Sequence, residues 1–169
     1  MTTLFVLGGA RSGKSRYAQD RAETLPGDPV FVATAQAYDA EMAERIALHR
    51  ADRGPRWQTI DAPIALHEEI AANSGEGRVV LVDCLTLWTS NLMLGGHDMD
   101  AAADALVDAI GSAAGPVMLV ANEVGLGIVP DNALARRFRD CAGRLNQRVA
   151  AAVDEVVLVT AGLPLRLKG

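Results

Sequence analysis

Gly8-Gly9-Ala10-Arg11-Ser12-Gly13-Lys14-Ser15 is the stretch on which the reading of this chain turns. It has the spacing G-x-x-x-x-G-K-[ST]. It lies between a short apolar run, Leu4–Leu7, and a helix-like stretch, Ser15–Thr24. A strand before and a helix after are the context in which that spacing means a phosphate cradle rather than a chance glycine turn. A triphosphate needs several donors converging on one concave point. Glycine lets the backbone curl so that successive N–H groups face inward. The positive end of the following helix dipole adds to the same field. Lys14 is expected to reach the β and γ oxygens, and the Ser15 hydroxyl to ligate Mg²⁺.

Outward from this loop, short β-branched runs alternate with longer helical stretches. Strands are expected at Leu4–Leu7, Val30–Ala33, Trp57–Ile60, Val79–Val82, Val117–Ala121 and Val156–Thr160. Val79-Val-Leu-Val and Val117-Met-Leu-Val show no alternation of apolar with polar. Strands buried on both faces of a parallel sheet read that way. Helices are expected at Ser15–Thr24, Ala40–Asp52, Ala65–Asn73, Asp100–Ala113 and Asn132–Ala151. In the last, Leu134, Phe138, Cys141, Leu145 and Val149 recur at helical spacing, with arginines between them. Pro26, Pro29, Pro63, Pro116 and Pro130 are read as falling between elements. The fold class expected is α/β, a P-loop NTPase-type mostly parallel sheet with helices on both faces. The pattern shows no internal repeat and no linker, so residues 1–169 are expected to form a single nucleotide-binding domain.

Composition agrees. Half of the 169 residues are hydrophobic and 22% are charged, enough for a core and too apolar for a disordered acidic tail. Aromatics are 4%, so the core must be built from Val, Leu, Ile and Ala. A net charge of -5 argues against a non-specific nucleic-acid coat, which wants a basic face. It permits a small anionic ligand, since local dipoles bind phosphate inside an acidic protein. Cys84 and Cys141 make neither a disulfide scaffold nor a CxxC pair. No apolar run approaches the roughly 20 residues of a bilayer span, and the start of the chain does not read as a signal peptide. A cytoplasmic protein is expected.

Two strand ends carry polar groups. Asp83 closes Val79–Val82, and a carboxylate there is costly unless it meets a cation or donors. Beside a P-loop it suits the metal side of the site; otherwise it would cap a helix beginning near Thr86. Asn122 and Glu123 follow Val117–Ala121, where ligands gather in open α/β sheets. Glu123 reads equally as a group that positions substrate or water and as a loop residue. The reaction class follows by exclusion. The guanine-reading Asn-Lys-x-Asp and the switch Asp-x-x-Gly of regulatory GTPases do not occur. The acidic balance is wrong for a nucleic-acid motor. A small-molecule kinase remains.

The helix expected over Ala40–Asp52 holds the second informative cluster. Met42, Ile46 and His49 recur at i, i+4 and i+7. Arg45, Arg50, Arg53 and Arg56 surround the histidine in sequence and can neutralise a phosphate. Spacing alone favours a packed histidine near a helix C-terminus. The chemical alternative is a neutral imidazole acting as nucleophile on an α-phosphorus while cations stabilise the developing charge. His67 and His97 have no such neighbours and read as surface residues.

Taken in order, these motifs resemble a known family. The residues that carry the likeness are Gly-Gly-Ala-Arg-Ser-Gly-Lys-Ser-Arg at 8–16, Val-Ala-Thr-Ala at 32–35, Asp39 with Glu41-Met42, Arg45-Ile46 with His49-Arg50, and Arg53 to Trp57. Val-Asp-Cys-Leu-Thr at 82–86, Asn91-Leu92, Asn-Glu-Val-Gly-Leu-Gly-Ile-Val-Pro at 122–130 and Arg-Asp-Cys-Ala-Gly-Arg-Leu-Asn-Gln at 139–147 continue it. The chain resembles the bifunctional adenosylcobinamide kinase/adenosylcobinamide-phosphate guanylyltransferases of cobalamin biosynthesis over essentially its whole length. The resemblance implies phosphorylation of adenosylcobinamide by ATP or GTP. It also implies transfer of GMP from GTP to adenosylcobinamide phosphate through a guanylylated histidine, matched by His49. It implies nucleotide contacts at residues 8–15, at Ala33, Thr34 and Ala35, at Arg50, Ala51, Asp52 and Arg53, and at Asp61 and Asp83. It further implies a homotrimer. A large, partly apolar acceptor needs hydrophobic surface, which Leu92, Met93, Leu94 or Leu126 could supply.

Overall fold

The computed structural model describes residues 2–37 and 40–169, without the side chains of Glu41, Met42, Arg45, His49 and Asp52. Its elements run β1 (Thr3–Gly8), α1 (Lys14–Glu23), β2 (Asp28–Ala33), α2 (Ala40–Arg53), β3 (Gln58–Asp61), α3 (Leu66–Asn73) and β4 (Arg78–Asp83). They continue with α4 (Leu85–Leu94), α5 (Met99–Ser112), β5 (Val117–Asn122), α6 (Ala133–Ala152), β6 (Glu155–Thr160) and β7 (Leu163–Lys168). The strands join in one sheet of order β3-β2-β4-β5-β1-β6-β7. Pairings among β1 to β6 are parallel, and β7 runs antiparallel to β6.

The unbroken apolar runs are explained by burial on both sides. Phe5, Val30, Val32, Val80, Val82, Leu119 and Val156 face a core built by α3, α4, α5 and α6. Their alternates Leu4, Val6, Phe31, Val79, Leu81, Met118 and Val157 pack on the other side, against Ala18 and Ala22 of α1 and against Trp57. Each fully buried aliphatic contributes about 1.5–3 kcal/mol relative to exposure. Aromatics are few but placed at joints. Trp88 of α4 donates its indole N–H to the Ile64 carbonyl at 2.7 Å. Trp57 packs edge-on to Phe31 at 6.2 Å between ring centres and donates to Glu23 at 3.0 Å. At the far end of the sheet Arg21 of α1 grips Glu155 with two nitrogens, at 3.0 and 2.7 Å. That contact holds the Glu155 carboxyl below its ordinary range.

Three expectations are corrected. Pro29 lies inside β2, not between elements. It pairs with Val79 on one side, while β3 begins only opposite Val30, so the missing N–H is tolerated at the strand's start. The α6 stripe is only partly buried: Cys141, Leu145 and Val149 are in the core, but Leu134 is 56% exposed. Periodicity gives a helix its apolar face, but not where its neighbours end. Beyond Thr160, where no element is expected from sequence, the chain turns through Ala161 (φ 51) and Gly162 (φ 78) into β7. Pro164 argues against a strand in the interior of a sheet, and β7 is an edge. Among the described residues, no helix is long and apolar enough to cross a membrane.

Candidate nucleotide-binding site

β1 ends in Gly8, and the chain makes the predicted cradle before entering α1. The glycine spacing meets steric need at two points. A methyl group on Gly8 would sit 2.3 Å from the Ser12 hydroxyl oxygen and 2.7 Å from the Val159 carbonyl. Gly13 adopts φ 94, a left-handed conformation that L side chains rarely take. Gly13 also occupies the N-cap of α1, where no side chain caps the helix and the first turn holds no acid. The first N–H groups of α1 and their partial positive charge therefore face the loop. Lys14 is 9% exposed and curls back so that Nζ donates to the Gly9 carbonyl at 3.1 Å. Ser15 is exposed beside it in the first turn, as are Ala10 and Arg11 on the loop. The Ser12 hydroxyl is buried with no hydrogen-bond partner among the described residues. An unpaired donor costs free energy inside a protein.

The loop is clamped by segments remote in sequence. The Glu123 N–H donates to the Gly8 carbonyl at 3.1 Å, and the Gly162 N–H to the Ser12 carbonyl at 2.8 Å. The Glu123 carboxylate accepts the N–H of Gly125 in its own loop, which gives it a local role. The Gly162 contact is not part of the sequence reading. The sequence around it carries no marker for that contact, since Ala161-Gly162 is not one of the Asn-Gly, Asp-Gly or Gly-Gly pairs that signal a two-residue hairpin link.

Sheet register assembles the rest. Ala33 sits opposite both Asp61 and Asp83, so the ends of β3, β2 and β4 lie side by side. β5 then separates β4 from β1 and the cradle. A Mg²⁺ ion on a triphosphate takes few protein oxygens, commonly one or two carboxylates together with phosphate oxygens. The Ser15 hydroxyl and the Asp83 carboxylate are of the right chemistry for that part.

The second cluster lies against α2. A cleft of about 340 Å³ is lined by Ala35, Ala37, Ala43, Ile46, Ala47, Arg50 and Asp61. Arg50 Nη2 bridges both oxygens of Asp61 at 2.6 and 2.8 Å across its edge. Arg53 is half-buried, its guanidinium 3.6 Å from the centre of the Phe31 ring, with Nη2 donating to Thr59 at 3.4 Å. Its Nε is buried without a partner among the described residues. Burial, and then the Arg50 charge, hold this guanidinium below its ordinary value, while Asp83 acts in the opposite sense. Ala51 is exposed on the same helix. His49 lies in α2, but its side chain and that of Asp52 are outside the described residues. Thr34 is wholly buried and its hydroxyl turns to Cys84, not to the cleft. His67 and His97 are at the surface, as read. Of the hydrophobic candidates, Leu92 is 2% exposed and belongs to the core, whereas Leu94 and Leu126 are 65% and 87% exposed.

This geometry suits a triphosphate with its phosphates in the loop and reactive groups along the carboxyl edge of the sheet. Known proteins agree at two levels. The chain aligns over 95% of its length with the ATPase EscN of the enteropathogenic E. coli type III secretion system. The TM-score is 0.54 at 9% identity, and the match covers 43% of that chain. That likeness concerns fold alone, a P-loop NTPase sheet. Closer in sequence is the bifunctional adenosylcobalamin biosynthesis protein CobP of Pseudomonas aeruginosa, 46% identical over 97% of this chain and 96% of that protein. The bifunctional adenosylcobalamin biosynthesis protein CobU of Escherichia coli is 42% identical over 98% of this chain and 99% of its own length. The family model described as cobinamide kinase / cobinamide phosphate guanyltransferase matches residues 4–167. With a nucleotide cradle formed at β1 and this match running nearly end to end, the chain belongs to the cobinamide kinase / cobinamide phosphate guanyltransferase family.

Proposed function

We propose that this protein carries out two successive transfers on one acceptor. In the first, the hydroxyl oxygen of adenosylcobinamide bonds to the γ-phosphorus of ATP or GTP. The bond from that phosphorus to the β–γ bridging oxygen breaks, the nucleoside diphosphate leaves, and the hydroxyl proton is released. In the second, the His49 imidazole bonds to the α-phosphorus of GTP and pyrophosphate departs. The phosphate of adenosylcobinamide phosphate then displaces the histidine, giving adenosyl-GDP-cobinamide. The reading is supported chiefly by the formed P-loop in a chain that matches this family from residue 4 to 167.

The chain's own residues divide the work. Backbone N–H groups of residues 8–15 and the start of α1 hold the phosphates, and Lys14 neutralises charge on the transferred group. Ser15 and Asp83 would hold Mg²⁺, which when bound offsets charge on the β and γ oxygens. Ala33, Ala35, Asp61 and residues 50–53 form the nucleoside side of the site, and Thr34, whose buried hydroxyl is turned to Cys84, joins them only through its main chain. One fixed triphosphate cannot readily offer both its ends to the same acceptor, and a covalent histidine removes that conflict by splitting the second reaction.

The test is to supply adenosylcobinamide with GTP and Mg²⁺ and weigh the products. Both the phosphorylated and the GDP-linked corrinoid are expected. The phosphorylated species alone leaves a single-activity kinase, and neither product removes the proposal.

We also propose that the working form is a homotrimer. Leu163, Leu165 and Leu167 of β7 are 72%, 59% and 56% exposed on an edge strand, a surface that natural proteins usually cover. Light scattering is expected to give the mass of three chains, and a monomer mass would exclude it.

A further inference from the structure

We propose that Thr34 is a positioning residue that sets the direction of the Asp83 carboxylate through the main chain of Cys84. The inference rests on the reading of Asp83 as the metal-side acid. Thr34 follows β2 directly and is 0% exposed. Its hydroxyl accepts the Cys84 N–H at 2.9 Å and donates to the Cys84 carbonyl at 2.7 Å. One side chain thus brackets both ends of the residue that follows Asp83. The Thr34 N–H reaches toward the Asp83 carbonyl at 3.5 Å, extending the β2–β4 register past the strand end. Thr34 is itself fixed, since the Asn91 side-chain amide donates to its carbonyl at 2.8 Å and to that of Pro63 at 3.0 Å.

The bracket acts at the corner where β4 becomes α4. Cys84 is the N-cap of α4 and is 8% exposed, so water cannot readily replace the hydroxyl. The Cys84 carbonyl has a second donor in Trp88 N–H at 3.2 Å, whereas its own N–H depends on Thr34. Removing the hydroxyl leaves that N–H without its partner, and the corner must shift to find another. Asp83 is the last residue of β4, so its side-chain direction follows the peptide plane that the bracket holds. Packing alone would be met by valine, which has nearly the shape of threonine but no hydroxyl. Supporting groups behind a metal ligand typically matter by about ten- to hundredfold in metal affinity.

Thr34→Val, Thr34→Ser and Asp83→Asn decide the matter. For each, nucleotide affinity is measured by calorimetry with and without Mg²⁺, together with the Mg²⁺ half-saturation of phosphoryl transfer. Thr34→Val is expected to bind nucleotide as the parent does without Mg²⁺. It should lose about tenfold of the Mg²⁺-dependent gain and need about tenfold more Mg²⁺ for turnover. Thr34→Ser restores both. Should the valine variant misfold, Thr34→Ala is read in the same way. Equal losses with and without Mg²⁺, or parent-like Mg²⁺ dependence in the valine variant, overturn the positioning role. Unchanged Mg²⁺ dependence in Asp83→Asn removes the underlying role of Asp83, and the proposal with it.

Discussion

Lys14→Ala is expected to lower phosphoryl transfer about a thousandfold while the protein stays folded, as read by single-turnover rates beside a thermal melt. The size follows from where the ammonium sits. Lys14 is buried at the first position of α1, and its Nζ donates to the Gly9 carbonyl. No carboxylate is salt-bridged to it among the described residues. Its charge is therefore directed at whatever occupies the loop and is not spent on a structural pair. A preorganised donor aimed at charge that grows in the transition state is worth about a hundred- to thousandfold, or about 2.7–4 kcal/mol. Removing Lys14 breaks one neutral-acceptor contact in the fold, so the melting temperature should move by only a few degrees. Lys14→Arg is not expected to rescue the rate, because a planar fork does not replace a compact point charge in a tight loop. A Lys14→Ala protein that keeps parental turnover would mean that phosphoryl transfer does not use this cradle.

The parts of this molecule that sequence makes legible are those where chemistry or burial constrains consecutive residues. The cradle is one, because a phosphate nest needs glycine, lysine and serine in fixed order along eight positions. The parallel strands are another: Val79–Val82 and Val117–Ala121 are apolar throughout because alternate residues enter different cores. What stays hidden depends on meetings between distant segments. Nothing near Thr34 announces that its hydroxyl meets Cys84, fifty positions on. Nothing near Gly162 announces that its N–H closes on Ser12. Asp61 has no local motif at all. It joins the site because β3 stacks in register on β2, and only family resemblance singles it out. β7 shows the converse. Its alternation of Leu163, Leu165 and Leu167 is a strand signal, but Pro164 speaks against it until the strand is known to be an edge.

His49→Ala is expected to abolish covalent capture of GMP while leaving phosphoryl transfer within a few-fold of the parent. Protein incubated with α-labelled GTP should retain label that is acid-labile and base-stable, the signature of a phosphorus–nitrogen bond. The alanine variant should retain none, a fall of about ten-thousandfold or more, as expected when a nucleophile is deleted. The contrast is expected because, in the proposed scheme, the two reactions use different ends of the triphosphate. Transfer of the γ-phosphoryl group draws on the loop between β1 and α1, which contains no residue of α2. Guanylyl transfer needs an imidazole at the α-phosphorus with cations nearby. Position 49 is adjacent to Arg50 and one helical turn from Arg53. Those two arginines reach β3, at Asp61 and Thr59, next to the strand that ends in Ala33. In that position Arg50 and Arg53 can offset charge at the α-phosphoryl group as the imidazole bonds to it, but cannot replace the nucleophile, since a guanidinium offers donors and no free lone pair. The other histidines offer no substitute, since His67 lies in α3 and His97 follows α4, both at the surface. Label that survives in His49→Ala with the same acid lability would place the nucleophile elsewhere. The loss of phosphoryl transfer along with capture would show instead that α2 supports the whole site.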